Sequence, residues 1–222
     1  MDKIKILIAD DHAVVREGTR QVLEREPDME VVAEAADGEE AVKMAASAKP
    51  NVAIIDISMP KLDGIEATRQ IKAHYPNIAV LILSAYDDDQ FIFSLLEAGA
   101  AGYLLKSVRS REIVDAVRAV NAGESVLHPA IARKVLNRFS ATSAQTQKPE
   151  KQAEVLSERE IEVLRLATRG LSNQDIANEL SLSLRTVQAH LGHIFNKLQV
   201  GSRTEAVVRA LKKGWVTLND IP

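Results

Sequence analysis

The 222-residue sequence contains no cysteine. That removes disulfides, Cys–zinc sites and thiol nucleophiles from consideration. No apolar run approaches the ~18 residues needed to cross a bilayer, so no membrane association is expected. Charges at Asp2, Lys3, Lys5, Asp10 and Asp11 leave no room for the apolar core of a signal peptide, and a cytoplasmic location is expected. Internal repeats are also missing. His190 and His193 stand three apart, but no carboxylate or cysteine lies beside them to complete a metal site. What remains is 46% hydrophobic and 27% charged, the composition of an ordered globular chain long enough for two domains.

Charge is unevenly spread. Up to Phe139 there are 17 Lys/Arg against 22 Asp/Glu, a net of -5; beyond it 11 stand against 9, a net of +2. An acidic part joined to a mildly basic one points to different partners for each, with the basic end suited to phosphates. Between them, residues 140–154 (SATSAQTQKPEKQAE) show no apolar periodicity and read as a solvated linker. The organisation expected is a first domain over 1–122, a helical extension and flexible linker over 123–154, and a second domain over 155–222.

In the first domain short β-branched runs alternate with helical patterns. Strands are expected at 4–10, 30–35, 52–57, 79–84 and 101–105, with helices near 13–26, 38–47, 64–74, 88–98 and 109–121. This alternation predicts an α/β fold, a doubly wound five-stranded parallel sheet of flavodoxin-like type. Parallel strands end at one edge, where ligands bind. Asp10-Asp11, Asp56 and Lys106 each follow a predicted strand, so three carboxylates and an ammonium converge there. Crowded carboxylates repel one another unless a divalent cation joins them, and oxygen ligands with room for water suit Mg²⁺. Such a site serves phosphoryl chemistry. Taken singly, each of these residues is an ordinary strand cap or surface charge; their joint placement carries the inference.

Asp10-Asp11, Asp56, Met59-Pro60 with Asp63-Gly64, Ser84-Ala85, Tyr103 and Lys106 together resemble the receiver domain of two-component response regulators, over roughly residues 3–121. The resemblance implies that Asp56 is the phosphoacceptor, with a phosphohistidine on a sensor histidine kinase as donor. It implies that Asp10 or Asp11, Asp56 and the Ser58 backbone carbonyl hold Mg²⁺. Lys106 would pair with a phosphoryl oxygen and Ser84 would donate its hydroxyl to another. Tyr103 would turn inward as Ser84 moves. Ser58 and Tyr86 occupy positions that tune phosphate lifetime in that family. Ser84 replaces the commoner Thr and keeps its hydroxyl; Ser107 replaces the commoner Pro after the lysine. His12, in the first turn of the first helix, receives no chemical role.

From Leu156 to Leu211 the chain reads as a small all-α domain of four helices. Ser157 and Glu160 form a capping box, Gly170 stops the first helix, and 172–180 and 184–198 flank a tight turn as a helix-turn-helix. Leu156-Ser157, Arg159-Glu160, Gly170-Leu171-Ser172-Asn173, Thr186-Val187, His190, Lys197-Leu198 and Arg203-Thr204-Glu205-Ala206 resemble the LuxR-type DNA-binding domain. With a receiver in front, the order resembles the NarL/FixJ class. That resemblance implies double-stranded DNA as a partner, with phosphate contacts from Asn173, Ser183, Arg185 and Thr186. Gln188, Ala189 and Gly192 would face the major groove, with His193 and Asn196 nearby. Gln bonds adenine and Ala meets a thymine methyl, so A·T content is expected in the half-site. Val208 and Leu211 would supply a homodimer patch matching paired half-sites.

The function expected is transcription regulation, not enzymatic turnover, switched when Asp56 is phosphorylated. In the unmodified state the first domain would mask the reading helix or oppose dimerisation. One alternative is a phosphatase or phosphotransferase with an Asp nucleophile. It needs a general acid two residues past Asp56, where Ser58 stands, and a substrate cap that the sequence lacks. The other is a regulator that binds DNA independently of phosphorylation.

Overall fold

A computed structural model describes residues 2–85, 89–127 and 156–216. Tyr86 and the expected linker at 140–154 lie outside the described residues. The first domain runs β1 (Ile4–Ala9), α1 (Ala13–Glu24), β2 (Met29–Ala35), α2 (Gly38–Ala48), β3 (Val52–Ile55), α3 (Gly64–His74), β4 (Ala79–Ser84), α4 (Asp89–Glu97), β5 (Gly102–Leu105), α5 (Ser110–Asn121) and β6 (Val126–Leu127). All pairings are parallel, in the order β2-β1-β3-β4-β5-β6. The central strands are apolar on both faces because helices cover both. One face packs Ile71, Ile92, Leu95 and Tyr103; the other packs Leu23, Val114, Val117 and Val120.

Six strands are present where five were expected. The extra one, β6, lies in the segment expected to be a helical extension. Gly123 turns the chain at φ +80° after α5, and Val126 and Leu127 then pair with Gly102 and Tyr103. Two apolar residues are too few to show an alternation, so only the neighbouring strand reveals them.

The second domain comprises α6 (Glu158–Thr168), α7 (Asn173–Glu179), α8 (Leu184–Leu198) and α9 (Arg203–Lys212). Its core is Val163, Leu164, Ile176, Val187, Leu191, Ile194, Leu198 and Ala206. Each helix starts at a serine cap, reciprocal in α6 and α7. Ser157 N–H donates to Glu160 Oε2 at 2.7 Å while Glu160 N–H donates to Ser157 Oγ at 3.3 Å. Such caps contribute about 1 kcal/mol each. Gly170, at φ +78°, ends α6 in the left-handed conformation that a side chain would disfavour.

Candidate functional site

Register brings the expected acids and lysine together. Ala9 aligns with Ile55 across β1–β3, Ile55 with Ile82 across β3–β4, and Ser84 with Leu105 across β4–β5. The residue after each strand is still held by a neighbour: Asp10 N–H donates to Ala35 O at 3.1 Å, Asp56 N–H to Ala9 O at 2.8 Å and Lys106 N–H to Ser84 O at 2.8 Å. The side chains therefore meet at one edge. Lys106 Nζ lies 2.7 Å from Asp10 Oδ2 and 3.0 Å from Asp56 Oδ2. The loop after Asp56 folds back so tightly that a Cβ on Gly64 would fall 2.0 Å from the Asp56 carbonyl oxygen. Glycine is required there, and Asp63 starts α3 beside it by accepting Glu66 N–H at 2.8 Å.

Asp10 and Asp56 are both buried, at 3% exposure. Burial raises the Asp56 carboxyl above its ordinary pKa; Lys106 pulls it down, and the Asp10 charge pushes it up. Burial also disfavours the Lys106 ammonium, but hydrogen bonds to Asp10 and Asp56 outweigh it and hold its pKa above the usual value. Asp56 Oδ1 is buried with no hydrogen-bond partner among the described residues. A buried carboxylate oxygen without a donor costs free energy unless a ligand completes it. Asp10, Asp11, His12 and Asp56 bring donor atoms within 4.8 Å of one another, an arrangement able to hold a metal ion. The residues present fit a divalent cation.

Ser84 is fully buried at the end of β4. Ser58 is exposed in the loop after Asp56. Tyr103 is completely enclosed in the β5 core. The inward movement expected of it therefore starts, in this arrangement, from a ring already inside. Arg16, which carries no motif signal, donates from Nη1 to the Asp10 carbonyl at 2.6 Å and braces the turn into α1.

In the second domain Ser183 caps α8, its Oγ accepting Thr186 N–H at 3.1 Å and lying 2.7 Å from Thr186 Oγ1. Val187, Leu191, Ile194 and Leu198 face the core at helical spacing. The opposite face leaves Arg185, Gln188, Ala189, Gly192, His193 and Asn196 exposed. Nothing lies within 4 Å of a Cβ built on Gly192. Mid-helix glycine costs about 0.5–1 kcal/mol relative to alanine. Gly192→Ala is therefore expected to raise the melting temperature of the free protein by a few degrees, measured by circular dichroism. Weaker DNA binding by the same variant would show that duplex backbone approaches this position.

Two family models divide the chain: the response regulator receiver domain matches residues 6–118, and the luxR family of bacterial regulatory proteins matches 154–210. The chain is a response regulator of the NarL/FixJ class. It is 40% identical to the transcriptional regulatory protein DegU of Brevibacillus brevis over 97% of this chain and 96% of that one. It is similar to the response regulator ChrA of a heme-sensing two-component system, at 39% identity and TM-score 0.53, covering 97% of this chain and all of ChrA. A structure of two RcsB dimers bound to two parallel DNAs is 25% identical with TM-score 0.56, covering 93% and 97%. This response regulator thus joins a receiver to a LuxR-type DNA-binding domain, as transcriptional regulators of two-component systems do. No helix among its described residues is long and apolar enough to cross a membrane.

The two domains of this response regulator are docked, at the sheet edge opposite Asp56. Ser202 Oγ donates to Ala100 O at 3.1 Å, just before β5, and Thr204 Oγ1 to Ser125 Oγ at 2.7 Å. Asn173, expected at a DNA phosphate, is instead 1% exposed. Its Nδ2 donates to Ala122 O at 2.9 Å and its backbone N–H to Glu124 Oε1 at 3.1 Å. Arg203 Nη1 donates to Asn173 Oδ1 at 3.1 Å. Burial lowers Arg203 to a pKa of about 10, opposed by the Glu124 charge. Lys72 packs its stem against Gly201, where a Cβ would meet its Cε at 2.5 Å. Burial lowers its pKa to about 8, opposed by Glu205. Val208, expected at a dimer interface, is 8% exposed and α9 lies against α4; Leu211 packs on the domain's own core. Sequence reasoning gave Glu124, Ser202 and Lys72 no role and read Thr204 only as part of a motif, because a polar residue that meets another domain looks like any surface residue in one dimension.

Proposed function

We propose that this chain is a cytoplasmic DNA-binding regulator switched by Mg²⁺-dependent phosphorylation of Asp56 from a sensor histidine kinase, and that its docked form is the resting one. The observation that carries this is the buried group of Asp10, Asp56 and Lys106 with an Asp56 oxygen left without a donor. An Asp56 oxygen attacks phosphorus, the bond to the donor imidazole nitrogen breaks, and the electron pair leaves on the imidazole. Asp10, Asp11, Asp56 and the Ser58 carbonyl would hold Mg²⁺, which offsets charge on the phosphoryl oxygens when bound. Lys106, released from its contacts with Asp10 and Asp56, pairs with one phosphoryl oxygen, and the Ser84 hydroxyl donates to another. The phosphoryl group ends on the chain itself, so the protein is a switch and not a turnover enzyme. A receiver extended through β6 to Leu127 and a DNA-binding domain over 155–222 fit these roles.

Coupling runs along α4. This helix begins near the Asp56 edge, after Ser84, and its nine residues span about 13 Å toward the other edge. There Glu97 adds negative charge near Glu205 of α9, whose carboxyl pKa is raised by burial first and by Glu97 further. A rearrangement around Ser84 and Tyr103 that displaces α4 therefore acts on α9. The groove-facing residues Gln188, Ala189, Gly192, His193 and Asn196 remain exposed while Asn173 and Val208 are covered. This favours restraint through a captured phosphate contact and a covered homodimer patch, with Leu211 beside it, over masking of the reading helix. Ser183, Arg185 and Thr186 stay accessible to phosphates.

Incubation with acetyl phosphate and Mg²⁺, followed by intact mass and DNA retardation, tests the proposal. It requires a gain of one phosphoryl group and tighter retention of selected fragments. Mass gain without tighter retention would make the protein a phosphorylation-independent binder; no mass gain would remove the switch altogether.

A further inference from the structure

The docked domains leave a cavity of about 280 Å³ between them, at the sheet edge opposite Asp56, that the function above does not use. The receiver lines it with Lys72 of α3, Asn77 and Asn121; the DNA-binding domain lines it with Phe195 of α8 and Arg203 of α9. Two of these carry charge withdrawn from water: Lys72 is 9% exposed and Arg203 5%. Lys72 Nζ donates to Pro76 O at 2.6 Å and to Ile78 O at 2.9 Å. Arg203 donates to Asn173 Oδ1 and Ala167 O, each at 3.1 Å, and to Leu171 O at 2.6 Å. An ammonium carries three N–H donors and a guanidinium five. One donor on Lys72 and two on Arg203 are therefore left over among the described residues, and neither cation forms an ion pair there. The nearest acids are engaged elsewhere: Glu124 accepts the Asn173 N–H, and Glu205 accepts the Gly201 N–H at 2.7 Å. They act on Arg203 and Lys72 only through space. Two buried cations without a contacting carboxylate cost free energy that an anion in the cavity offsets.

We propose that this cavity binds a small oxyanion, a phosphate or a carboxylate, held by Lys72 of the receiver and Arg203 of the DNA-binding domain. The inference rests on the docked resting form proposed above and deepens it. A site built from both domains exists only while they are docked, so its ligand favours the resting form and opposes DNA binding. Lys72 offers a compact point charge and Arg203 a planar set of donors, both suited to oxygen anions. The exposed Asn77 and Asn121 add amide groups at the rim without adding negative charge. The volume falls below the ~300–1,000 Å³ of sites for drug-sized ligands, so a compact anion fits and a nucleotide does not.

Calorimetric titration of the unphosphorylated full chain with inorganic phosphate or with malonate, at constant ionic strength and without divalent ions, reads the site. Leaving out divalent ions keeps the acidic edge from taking the anion. Saturable binding at one site per chain is expected, and the tighter of the two probes tells phosphate chemistry from carboxylate. Lys72→Met and Asn121→Asp are each expected to weaken it on the order of tenfold, the second without disturbing the fold because Asn121 is exposed. Arg185→Ala, which removes a cation from the reading helix, is expected to change it less than about twofold. The chain has no cysteine, so Ser125→Cys with Thr204→Cys, at hydroxyls 2.7 Å apart, can lock the docked form by a disulfide. The locked chain is expected to bind the anion at least as tightly as wild type. A locked chain without saturable binding, or binding that neither Lys72→Met nor Asn121→Asp weakens, overturns the site while the docked form stands. Failure of the cysteine pair to crosslink overturns the docked form, and the site falls with it.

Discussion

Asp56→Asn is expected to abolish phosphorylation while making the metal-free protein more stable. The amide cannot act as nucleophile, so incorporation from acetyl phosphate falls from roughly one group per chain to background by intact mass. Stability moves the other way because burial and the Asp10 charge raise the Asp56 pKa in the folded chain. The folded state therefore binds the Asp56 proton more readily than the unfolded state does. Its relative stability grows as pH falls from above the raised value toward the ordinary 3.8. Near neutral pH the ionised group is a burden, and an isosteric neutral side chain removes it. Thermal melts without divalent ions are expected to show the Asp56→Asn variant melting above wild type, with the gap closing as the solution is acidified. Asp28, Asp37 and Glu160, whose pKa values are lowered, act oppositely but are common to both proteins and cancel in the comparison. Adding Mg²⁺ is expected to stabilise wild type alone. A variant that melts lower than wild type at every pH would mean that the pairing of Asp56 with Lys106 outweighs its desolvation.

Glu124→Lys is expected to release the DNA-binding domain without phosphorylation. Glu124 is half-buried, accepts the Asn173 backbone N–H and faces the buried Arg203 guanidinium. Reversing its charge removes one attraction and adds one repulsion where water is scarce. A bias of about 1.4 kcal/mol toward the open form gives roughly tenfold tighter apparent DNA binding while the closed form predominates. Fluorescence anisotropy with a selected fragment measures this. Glu124→Gln, which keeps an acceptor for Asn173, is expected to show a smaller gain. Equal affinities of wild type and Glu124→Lys, both unphosphorylated, would show that docking does not restrain DNA binding. Substituting Ser202 is a poorer test, because its hydroxyl also caps α9 by accepting Glu205 N–H at 3.2 Å.

Elements whose cause is local were legible in the chain. The runs at Ile4–Ala9 and Val52–Ile55 are bounded by acids, and both form strands. Leu184–Leu198 carries four core residues at helical spacing and folds over those bounds. The Ser157 and Glu160 box needs only four consecutive residues. β6 was not legible because two residues carry no period, and its strand character comes from the β5 edge alone. The site was legible for a different reason: in a parallel sheet, strand ends share an edge, so Asp10, Asp56 and Lys106 could be placed together from order alone. Asn173 was expected among DNA contacts from its motif, but its partners in this structure are Ala122 and Glu124. A motif names the surface a residue stands on and not the neighbour that covers it.

By itself the sequence determined a receiver-like sheet with an acidic edge, a helix-turn-helix domain behind it, and membership in the NarL/FixJ class. The sheet and the helices follow from hydrophobic period, caps and residue order, which act over a few residues or one strand crossing; the class follows from the resemblance of the motifs those elements carry. Only the tertiary structure decided which surfaces of the two domains meet, that α4 spans from the acidic edge to α9, and that an oxygen of Asp56 is left without a donor. Those outcomes depend on which polar groups lose their water when distant segments pack, and that is set by three-dimensional neighbours.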